Sequence, residues 1–328
     1  MALEAYHTFK GIDHFGEDTL SPMVENNLVS WYNWAFLQIG AWTDVTIPQS
    51  GAYGGDFSKL RLVNDPQYTN GQVWEAIRKD WVWETGVNYV NGTGTYNPIQ
   101  ITGVQVNGTM YGTGDATYGH YYNYPLGRVV FDTALTSTDV VKISYSYRNV
   151  QVYKADDVPW WQNLQYNSFR PDDTHFTLSG SGDLSVGGQH RIQLPAIIIA
   201  TVPVGKNRPY EIGAGSLIVE QDVLFYTLAE EKYTRDKLID IARNQDDKTI
   251  WLFNTNSVAE SGDYPLDYRG MYVGGLMYPN LVDKVSNGGH RWRRLRFEKT
   301  RTMESAPINM SVHEGVVRST CEVIFDGI

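Results

Sequence analysis

The hydrophobic pattern of the chain changes several times, and each change predicts a different kind of element. Residues 21–40, SPMVENNLVSWYNWAFLQIG, carry large apolar side chains three and four positions apart, the spacing of one helical face. Ser21 and Pro22 suit the start of a helix and Gly40 suits its end. The predicted apolar stripe, which packs in the chain's own core or against a neighbouring subunit, is Leu28, Trp31, Tyr32, Ala35, Phe36 and Ile39.

The next part of the chain changes first to loops and then to strands. Residues 41–87 are dense in Gly, Pro, Asn and Asp between short apolar pieces, which is typical of long ordered loops. From residue 98 to 153 apolar and polar positions alternate in IQITGVQVNGTMY, RVVFDTAL and VVKISYSYRNVQVY. The VNGT sequence within the first of these runs is a hairpin-turn signal. We therefore expect a small antiparallel β module here.

The C-terminal half follows a polar, turn-rich segment, residues 154–191, which is the expected boundary or an extended arm. Residues 219–254 contain an apolar run, a helical pattern with Leu238, Ile241 and Ala242 on one face, and a second apolar run. The stretches RWRRLRFEKTRTM and VVRSTCEVIF near the C terminus are typical of strands. The first apolar run, with Val223 and Phe225, and the second, with Trp251 and Phe253, are expected to form a sheet under this helix.

The chain as a whole is predicted to be an α+β protein, rich in β-strands and built of two modules. The first module, residues 1–155, holds the aromatic helix, the long loops and the small antiparallel β module. The second module, residues 156–328, holds the arm and a sheet with one main helix. More than one module is expected because single cores rarely extend beyond about 250 to 300 residues.

The charge balance narrows the functions expected of this chain. Its 37 acidic and 27 basic residues give a formal net charge of -10, which argues against a protein that mainly neutralises nucleic-acid phosphates. The single Cys321 cannot form an internal disulfide, and no apolar run approaches the length of a membrane span. The first residues lack the basic-then-apolar order of a signal peptide. We expect a protein made and kept in the cytoplasm, with no membrane partner.

The sequence contains no recognisable catalytic or metal-binding pattern. It lacks the nucleophile elbow of hydrolases, the phosphate-binding loop, the H-E-x-x-H pattern and any cysteine pair for zinc. His7 and His14 are seven positions apart, and surface histidines are the expected interpretation. Neighbouring carboxylates such as Asp172 and Asp173 usually occupy solvated turns. We therefore expect no enzymatic activity, no cofactor and no metal.

An arginine-rich run near the C terminus contrasts with the net negative charge of the chain. In HRWRRLRFEKTR, strict strand alternation places Trp292 on one face with Arg294 and Arg296. Arginines on both faces of a strand need acidic partners or phosphate. We expect pairing with carboxylates of the same chain or of a neighbouring subunit, with nucleic-acid contact and plain solvation as the alternatives.

Tryptophan pairs occur in turn-rich segments. Such rings either fix a loop by being buried, contribute to a sugar-binding platform, or lie between subunits, where aromatic and arginine side chains are enriched. The residues expected at a subunit interface are Trp81, Trp83, Trp160, Trp161, Arg291, Arg293, Arg294 and Arg296.

Two blocks of this sequence resemble virion structural proteins of tailed bacteriophages, especially those of cyanobacterial phages. They are GAYGGDFSKLRLVNDPQYTNGQVWEAIRKDWVWETGV and YPLGRVVFDTALTSTDVVKISYSYRNVQVYKAD. The likeness covers residue 21 to about residue 157, and EEKYTRDKLIDIARNQDDKTIWLFNTNSVAESGDYPLDYRG extends it into the second half. In pattern, the C-terminal half is also similar to the β-α-β-β-β arrangement of tail-terminator and other neck proteins.

The resemblance implies a structural role and brings no catalytic residue. It implies an oligomeric ring, commonly a hexamer, in the neck or tail of the virion, assembled in the host cytoplasm, for head-tail joining or tail termination. Its partners would be other neck and tail proteins, with at most incidental contact with passing DNA. The alternative is an accessory protein of the tail or baseplate that binds a host receptor or glycan.

Overall fold

A six-stranded sheet is the largest unit of the structure, and both halves of the chain contribute strands to it. The computed structural model describes residues 20–48, 56–92, 94–158, 176–179, 183–186, 190–209, 217–283, 289–309 and 312–325. The chain is a strand-rich α+β protein, as the sequence predicts.

The described elements run in the following order. The helices are α1 (Leu20–Gln38), α2 (Lys232–Arg243), α3 (Thr255–Ser261) and α4 (Tyr278–Leu281), with a 3-10 turn at Ala155–Asp157. The first strands are β1 (Trp42–Val45), β2 (Arg61–Leu62), β3 (Val73–Glu75), β4 (Tyr89–Asn91), β5 (Gly94–Tyr96), β6 (Val104–Val106), β7 (Thr109–Tyr111), β8 (His120–Asn123), β9 (Arg128–Phe131), β10 (Val141–Ile143) and β11 (Tyr145–Arg148). The later strands are β12 (Gln151–Lys154), β13 (Phe176–Ser179), β14 (Asp183–Val186), β15 (His190–Gln193), β16 (Ala196–Pro209), β17 (Leu217–Ala229), β18 (Thr249–Phe253), β19 (Arg291–Asn309) and β20 (Val312–Phe325).

The large sheet has the order β12-β16-β17-β20-β19-β18. All its neighbours are antiparallel except β12, which runs parallel to β16. Along the chain, β17, α2, β18, β19 and β20 follow one another, with α3 and α4 inserted between β18 and β19. The predicted strand-helix-strand unit of residues 219–254 is therefore confirmed.

Helix α1 packs on one face of the six-stranded sheet. Val24 and Leu28 are fully buried in the same apolar cluster as the central strands, and the Tyr32 ring lies 5.6 Å from that of Phe225. The expectation of core packing is confirmed for this helix. Two predicted details were wrong. Ser21 lies inside the helix and not at its start, and Ile39, predicted to belong to the apolar stripe, is 59% exposed.

Helix α2 covers the same face of the sheet. Leu238 and Ala242 are buried with the predicted strand residues Val223 and Phe225, whereas Ile241 is only partly buried at the rim. Its Ile239 approaches β20 so closely that a Cβ atom at Gly315 would lie 2.3 Å from the Ile239 Cδ1. The main helix-to-sheet contact was thus predicted correctly.

Strand β18 joins this core through Ile250 and Leu252, and the predicted residues Trp251 and Phe253 were wrong. Trp251 is 38% exposed, and Phe253 belongs to a separate apolar cluster with Val258 and Leu281. The reason is strand alternation, because Ile250 and Leu252 face the helix-covered core and Trp251 between them faces the other way.

A second core joins the short strands of the N-terminal half. It lies among the sheets β2-β3-β9-β8, β10-β6-β7 and β1-β11 and includes buried Val104, Phe131 and Tyr145. Strands β6 and β7 form the predicted hairpin, and Asn107 and Gly108 at its turn have φ angles of 49° and 92°. Positive φ at both turn residues explains why an Asn-Gly pair stands there.

The predicted division of the chain at residue 155 does not separate the two cores. Helix α1 and strand β12, both assigned to the first module, pack in or pair with the six-stranded sheet. Part of the expected arm instead forms a three-stranded antiparallel sheet, β13-β14-β15. Local sequence patterns could not show this, because the contacts join residues that are 45 positions apart for β12 with β16 and more than 150 apart for α1 with the central strands.

Candidate functional site at the arginine-rich strand

The arginine-rich run forms the start of β19, and a bulge decides where its side chains lie. Trp251 of β18 pairs with Arg294, but Phe253, two residues on, pairs with Arg291, three residues back. The extra residue in β19 breaks strict alternation. Trp292 consequently packs against the helix-covered core, and the prediction that it shares a face with Arg294 and Arg296 was wrong.

The exposed Trp251 and the half-buried Arg291 and Arg294 form one group, which we call the Trp251 patch. The guanidinium carbon lies 4.1 Å from the Trp251 ring centroid in Arg291 and 5.6 Å in Arg294. Arg291 is also fixed by donating from its Nε to the carbonyl of Val282 at 2.9 Å. Cations over a tryptophan face are attracted by the ring quadrupole. The patch therefore presents an ordered indole and two cations at the edge of the sheet.

Arg293 and Arg296 occupy different surroundings. The Arg293 guanidinium lies 5.1 Å from the Phe325 ring centroid, and its buried Nε has no hydrogen-bond partner among the described residues. Arg296 pairs with Asp247 at 2.7 Å and with Glu322 at 3.6 Å. The hydrogen bond that Arg296 donates to the Asp247 carboxylate raises the pKa of Arg296 above its ordinary value. Arg296 thus has its carboxylate partners within the chain, one of the two pairings expected.

The sheet face opposite the helices is charged around Glu322. The buried Glu322 lies opposite both Glu220 of β17 and Arg296 of β19, and Arg208 bonds to both glutamates. Carboxylate oxygens of Glu220, Glu298 and Glu322 lie within 4.8 Å of one another, the one such grouping among the described residues. Because Arg208 and Arg296 both pair with Glu322 at its centre, we interpret this cluster as an ion-pair network of the sheet.

The edge of β19 beyond the Trp251 patch has no neighbouring strand among the described residues. β18 pairs only with Arg291–Arg296, although β19 continues to Asn309. Just past β18, the Asp246 carboxylate accepts from the Thr300 N–H at 2.8 Å, and Met303 further along is 59% exposed. On the opposite side of the sheet, β12 covers only Ala196–Ile199 of β16. Unpaired strand edges are templates for pairing with another chain.

The short edge strand β18 itself is closed to such pairing. The Asn27 side chain of α1 accepts from the Phe253 N–H at 2.8 Å and donates to its carbonyl at 3.0 Å, as a neighbouring strand would. The Tyr278 hydroxyl donates to the Trp251 carbonyl at 3.1 Å. Another chain can therefore add to β19 beyond β18 but not to β18.

Of the four predicted tryptophans, the structure describes Trp81 and Trp83, and neither is part of the Trp251 patch. Trp81 is fully buried in the N-terminal core, 4.8 Å from the Tyr145 ring, and donates its indole N–H to the Arg78 carbonyl at 2.9 Å. Its side chain has no surface for a subunit contact, so that prediction is corrected. Trp83 is partly buried and stacks on Tyr272. Trp160 and Trp161 lie outside the described residues.

One histidine cluster was not predicted from the sequence. His290 Nδ1 lies 2.8 Å from the Ser257 hydroxyl, and its Nε2 lies 2.9 Å from Asp263. In a Ser-His-Asp triad the serine bonds Nε2 and the carboxylate bonds Nδ1, so the order here is reversed. The backbone carbonyl of His290 also accepts from Asn254 at 2.9 Å. The cluster fastens α3 to the start of β19.

No protein-family model, no curated protein and no solved structure matches the chain. Within the described residues, no helix is both long enough and apolar enough to cross a bilayer.

Proposed function

We propose that this chain is a non-enzymatic structural protein of a phage virion that forms an oligomeric ring in the neck or tail. The observation that carries the proposal is the open edge of β19 beside the Trp251 patch. An unpaired strand supplies backbone hydrogen bonds, and an ordered tryptophan with two arginines supplies the residue types that dominate protein interfaces. Surfaces of this kind favour another protein chain as the ligand.

The location of the open edges supports a ring. The uncovered parts of β19 and β16 lie on opposite sides of one sheet, so a subunit can contact its neighbours through two different surfaces. Repetition of such a heterologous contact makes a closed ring when the rotation closes. A hexamer is the copy number that we propose, from the likeness of the strand-helix-strand-strand-strand order to tail-terminator proteins.

The charge distribution supports protein partners over nucleic acid. Arg296 and Arg208 are paired with carboxylates of the same sheet, and the whole chain carries a net charge of -10. DNA passing through such a ring would make incidental contact at most. We propose other neck and tail proteins as the remaining partners, in head-tail joining or tail termination.

The non-enzymatic part of the proposal rests on side-chain geometry. We interpret the His290 cluster as structural, because Ser257 and Asp263 hold the two ring nitrogens and the His290 carbonyl accepts from the Asn254 N–H. Hydrogen bonds from Ser261 and His290 lower the pKa of Asp263, which keeps it ionised as a fixed partner.

Complementation of a phage that lacks the gene tests the assembly role. The change is Trp251→Ala with Arg294→Glu, which removes the exposed ring and reverses one charge of the patch. Charge reversal in a partly desolvated contact costs on the order of 2 to 5 kcal/mol of binding free energy. This cost recurs at every interface of a ring. We expect a folded protein and unjoined heads and tails in electron micrographs.

A matched control removes another exposed aromatic ring and reverses the charge of another arginine. Tyr268 is 94% exposed and Arg243 lies on the surface of α2, so Tyr268→Ala with Arg243→Glu should leave joining intact. Joined particles of normal infectivity from the Trp251/Arg294 variant would refute the proposed interface. Absence of the protein from purified virions would refute the virion role itself.

A further inference from the structure

The tetrapeptide Val-Asn-Gly-Thr occurs twice in this chain, at residues 90–93 and 106–109. In both copies the asparagine, Asn91 or Asn107, is exposed and lies in a β-hairpin. An Asn-Gly pair is open to spontaneous deamidation, because glycine has no side chain to hinder the attack of its nitrogen on the asparagine side chain. Since the tetrapeptide and the exposure are matched, a difference in reactivity between the two must come from tertiary structure.

The reaction needs no enzyme and no cofactor. The backbone nitrogen of the glycine loses its proton to hydroxide and attacks the asparagine Cγ. The new C–N bond closes a cyclic succinimide, and the side-chain amide takes up a proton from water and leaves as ammonia. Water then adds to one of the two imide carbonyls and breaks its C–N bond. The product is aspartate or isoaspartate, and isoaspartate lengthens the backbone by one carbon.

Hydrogen bonds hold Asn107 away from this reaction. Its Nδ2 donates to the Asp139 carboxylate at 2.7 Å, and its Oδ1 accepts from the Val140 N–H at 2.9 Å. The side chain must give up these two bonds before its Cγ can turn towards the Gly108 nitrogen. Breaking two hydrogen bonds of ordinary net strength lowers the reactive population about 5- to 150-fold.

The hairpin around Asn107 is also fixed by a third strand and by the N-terminal core. Strand β6 pairs with β10 as well as with β7, and the Asn107 backbone N–H donates to the Val140 carbonyl at 2.9 Å. Val104 and Val106 of β6 are buried in the core. Opening this hairpin exposes both valines to water, so its opening is rare.

The hairpin around Asn91 lacks this support. Among the described residues, β4 and β5 pair only with each other. The Tyr89 ring lies 6.2 Å from the Trp42 ring at the base of the hairpin, but Val90 beside the turn is 68% exposed. Neither the Asn91 side chain nor the Gly92 N–H has a hydrogen-bond partner in the part of the chain that the structure describes. Because a two-stranded hairpin is marginally stable by itself, this one opens at little cost.

We propose that Asn91 is a site of spontaneous deamidation and that the fold protects Asn107, in the same tetrapeptide, from the same reaction. Conversion adds a negative charge at Asn91, and isoaspartate disrupts the pairing of Asn91 with Gly94 that closes the hairpin. The reaction is irreversible, so the converted fraction records the age of a folded chain. This inference does not depend on ring assembly, because no residue of either hairpin belongs to the Trp251 patch.

Peptide mapping by mass spectrometry tests this on the full chain. The protein is incubated at neutral pH and body temperature in heavy-oxygen water, and hydrolysis of the succinimide then labels the product formed during the incubation. Chymotrypsin, used in ordinary water, cuts after Tyr89 and Tyr96 and places the two asparagines in separate peptides. In the folded chain, Asn91 should convert at least about fivefold faster than Asn107.

The chain unfolded in guanidinium chloride is the matched control. Unfolding removes the tertiary contacts and keeps both tetrapeptides, so Asn91 and Asn107 should then convert at nearly equal rates. The variant Asp139→Ala removes the acceptor of the Asn107 amide and should speed conversion of Asn107 about two- to tenfold, the effect of one hydrogen bond. Conversion of Asn91 should stay unchanged in this variant, with the melting temperature recorded as a check on folding.

Three outcomes would overturn the proposal. One is conversion of Asn107 as fast as that of Asn91 in the folded chain. Another is an Asn91 that stays intact in the folded chain while the unfolded chain reacts, which would show that the β4–β5 hairpin remains closed. The last is a difference between the two asparagines that persists after unfolding, because that difference would come from the flanking sequence and not from the fold.

Discussion

Replacing Asp80 with Asn should change how the stability of this protein depends on pH. Asp80 belongs to a buried charge network in which the Arg148 guanidinium serves two carboxylates. Arg148 donates to both oxygens of Glu84 and, from its Nε, to Asp80 at 3.2 Å. One cation between two carboxylates leaves the network one negative charge in excess. Asp80 has a φ of 52°, a conformation that Asn also tolerates, so the substitution keeps the backbone.

The expected magnitude follows from the pKa of Asp80. Burial raises the pKa from 3.8 to about 6; Arg148 opposes the rise and Glu84 adds to it. Between these two values the folded protein holds a proton that the unfolded chain has released. The contribution of the Asp80 carboxyl to the free energy of unfolding is therefore fully present below pH 3.8 and is lost as pH rises through about 6. Since each pH unit corresponds to about 1.4 kcal/mol, the loss amounts to about 1 to 3 kcal/mol.

Urea unfolding followed by tryptophan fluorescence measures this effect. The free energy of unfolding of the Asp80→Asn variant, minus that of the unchanged chain, should rise by about 1 to 3 kcal/mol between pH 4.5 and pH 7.5. The control is Asp56→Asn. Burial raises the pKa of Asp56, but hydrogen bonds from Lys142 and Ser58 outweigh it and lower the pKa overall. The stabilisation that ionised Asp56 provides is already complete above pH 4.5. The free energy of unfolding of the Asp56→Asn variant, minus that of the unchanged chain, should therefore stay constant between pH 4.5 and pH 7.5.

A flat difference for Asp80→Asn over the same range would refute this reasoning. It would mean that the Asp80 carboxylate ionises near its ordinary pKa, and that Arg148 stabilises it as well as it does Glu84.

Three further predictions concern packing and metal binding. Leu238→Ala should lower the free energy of unfolding by about 2 to 5 kcal/mol, because Leu238 is buried between α2 and the sheet; a loss below about 0.5 kcal/mol would contradict this packing. Gly315→Ala should cost about 1 to 3 kcal/mol, measured as a lower melting temperature, because the new Cβ atom meets Ile239. Gly112→Ala, which meets nothing within 4 Å, is its control and should melt close to the unchanged chain. Metal analysis of the purified protein should find no stoichiometric zinc, and one tightly held zinc per chain would contradict that prediction.

Some features of the fold could be predicted because they depend on neighbours in sequence. The apolar spacing around Leu238 predicts a helix and the face that it buries. The Asn107–Gly108 pair predicts a hairpin, because the turn requires positive φ at two adjacent positions. In both cases the physical cause acts within a few residues, so the sequence alone determines the outcome.

Other features were decided only when distant segments met. Asn27 of α1 hydrogen-bonds to Phe253, 226 positions away, and so closes the edge of β18. Trp81 looked like an interface residue, because nothing within its own loop shows that Tyr145 will cover it. The bulge opposite Trp251 moved Trp292 into the core and left the arginines outside.

For the candidate sites, too, the sequence determined the composition and the tertiary structure determined the contacts. The sequence alone showed an unusual concentration of arginine and tryptophan, and this composition is a property of the chain. Tertiary structure decided that Arg296 finds its carboxylates within the chain and that the guanidinium groups of Arg291 and Arg294 lie over the Trp251 ring. Hydrogen bonds and ring contacts depend on distances of a few ångströms between residues that lie tens to hundreds of positions apart, and these distances exist only after the strands have paired.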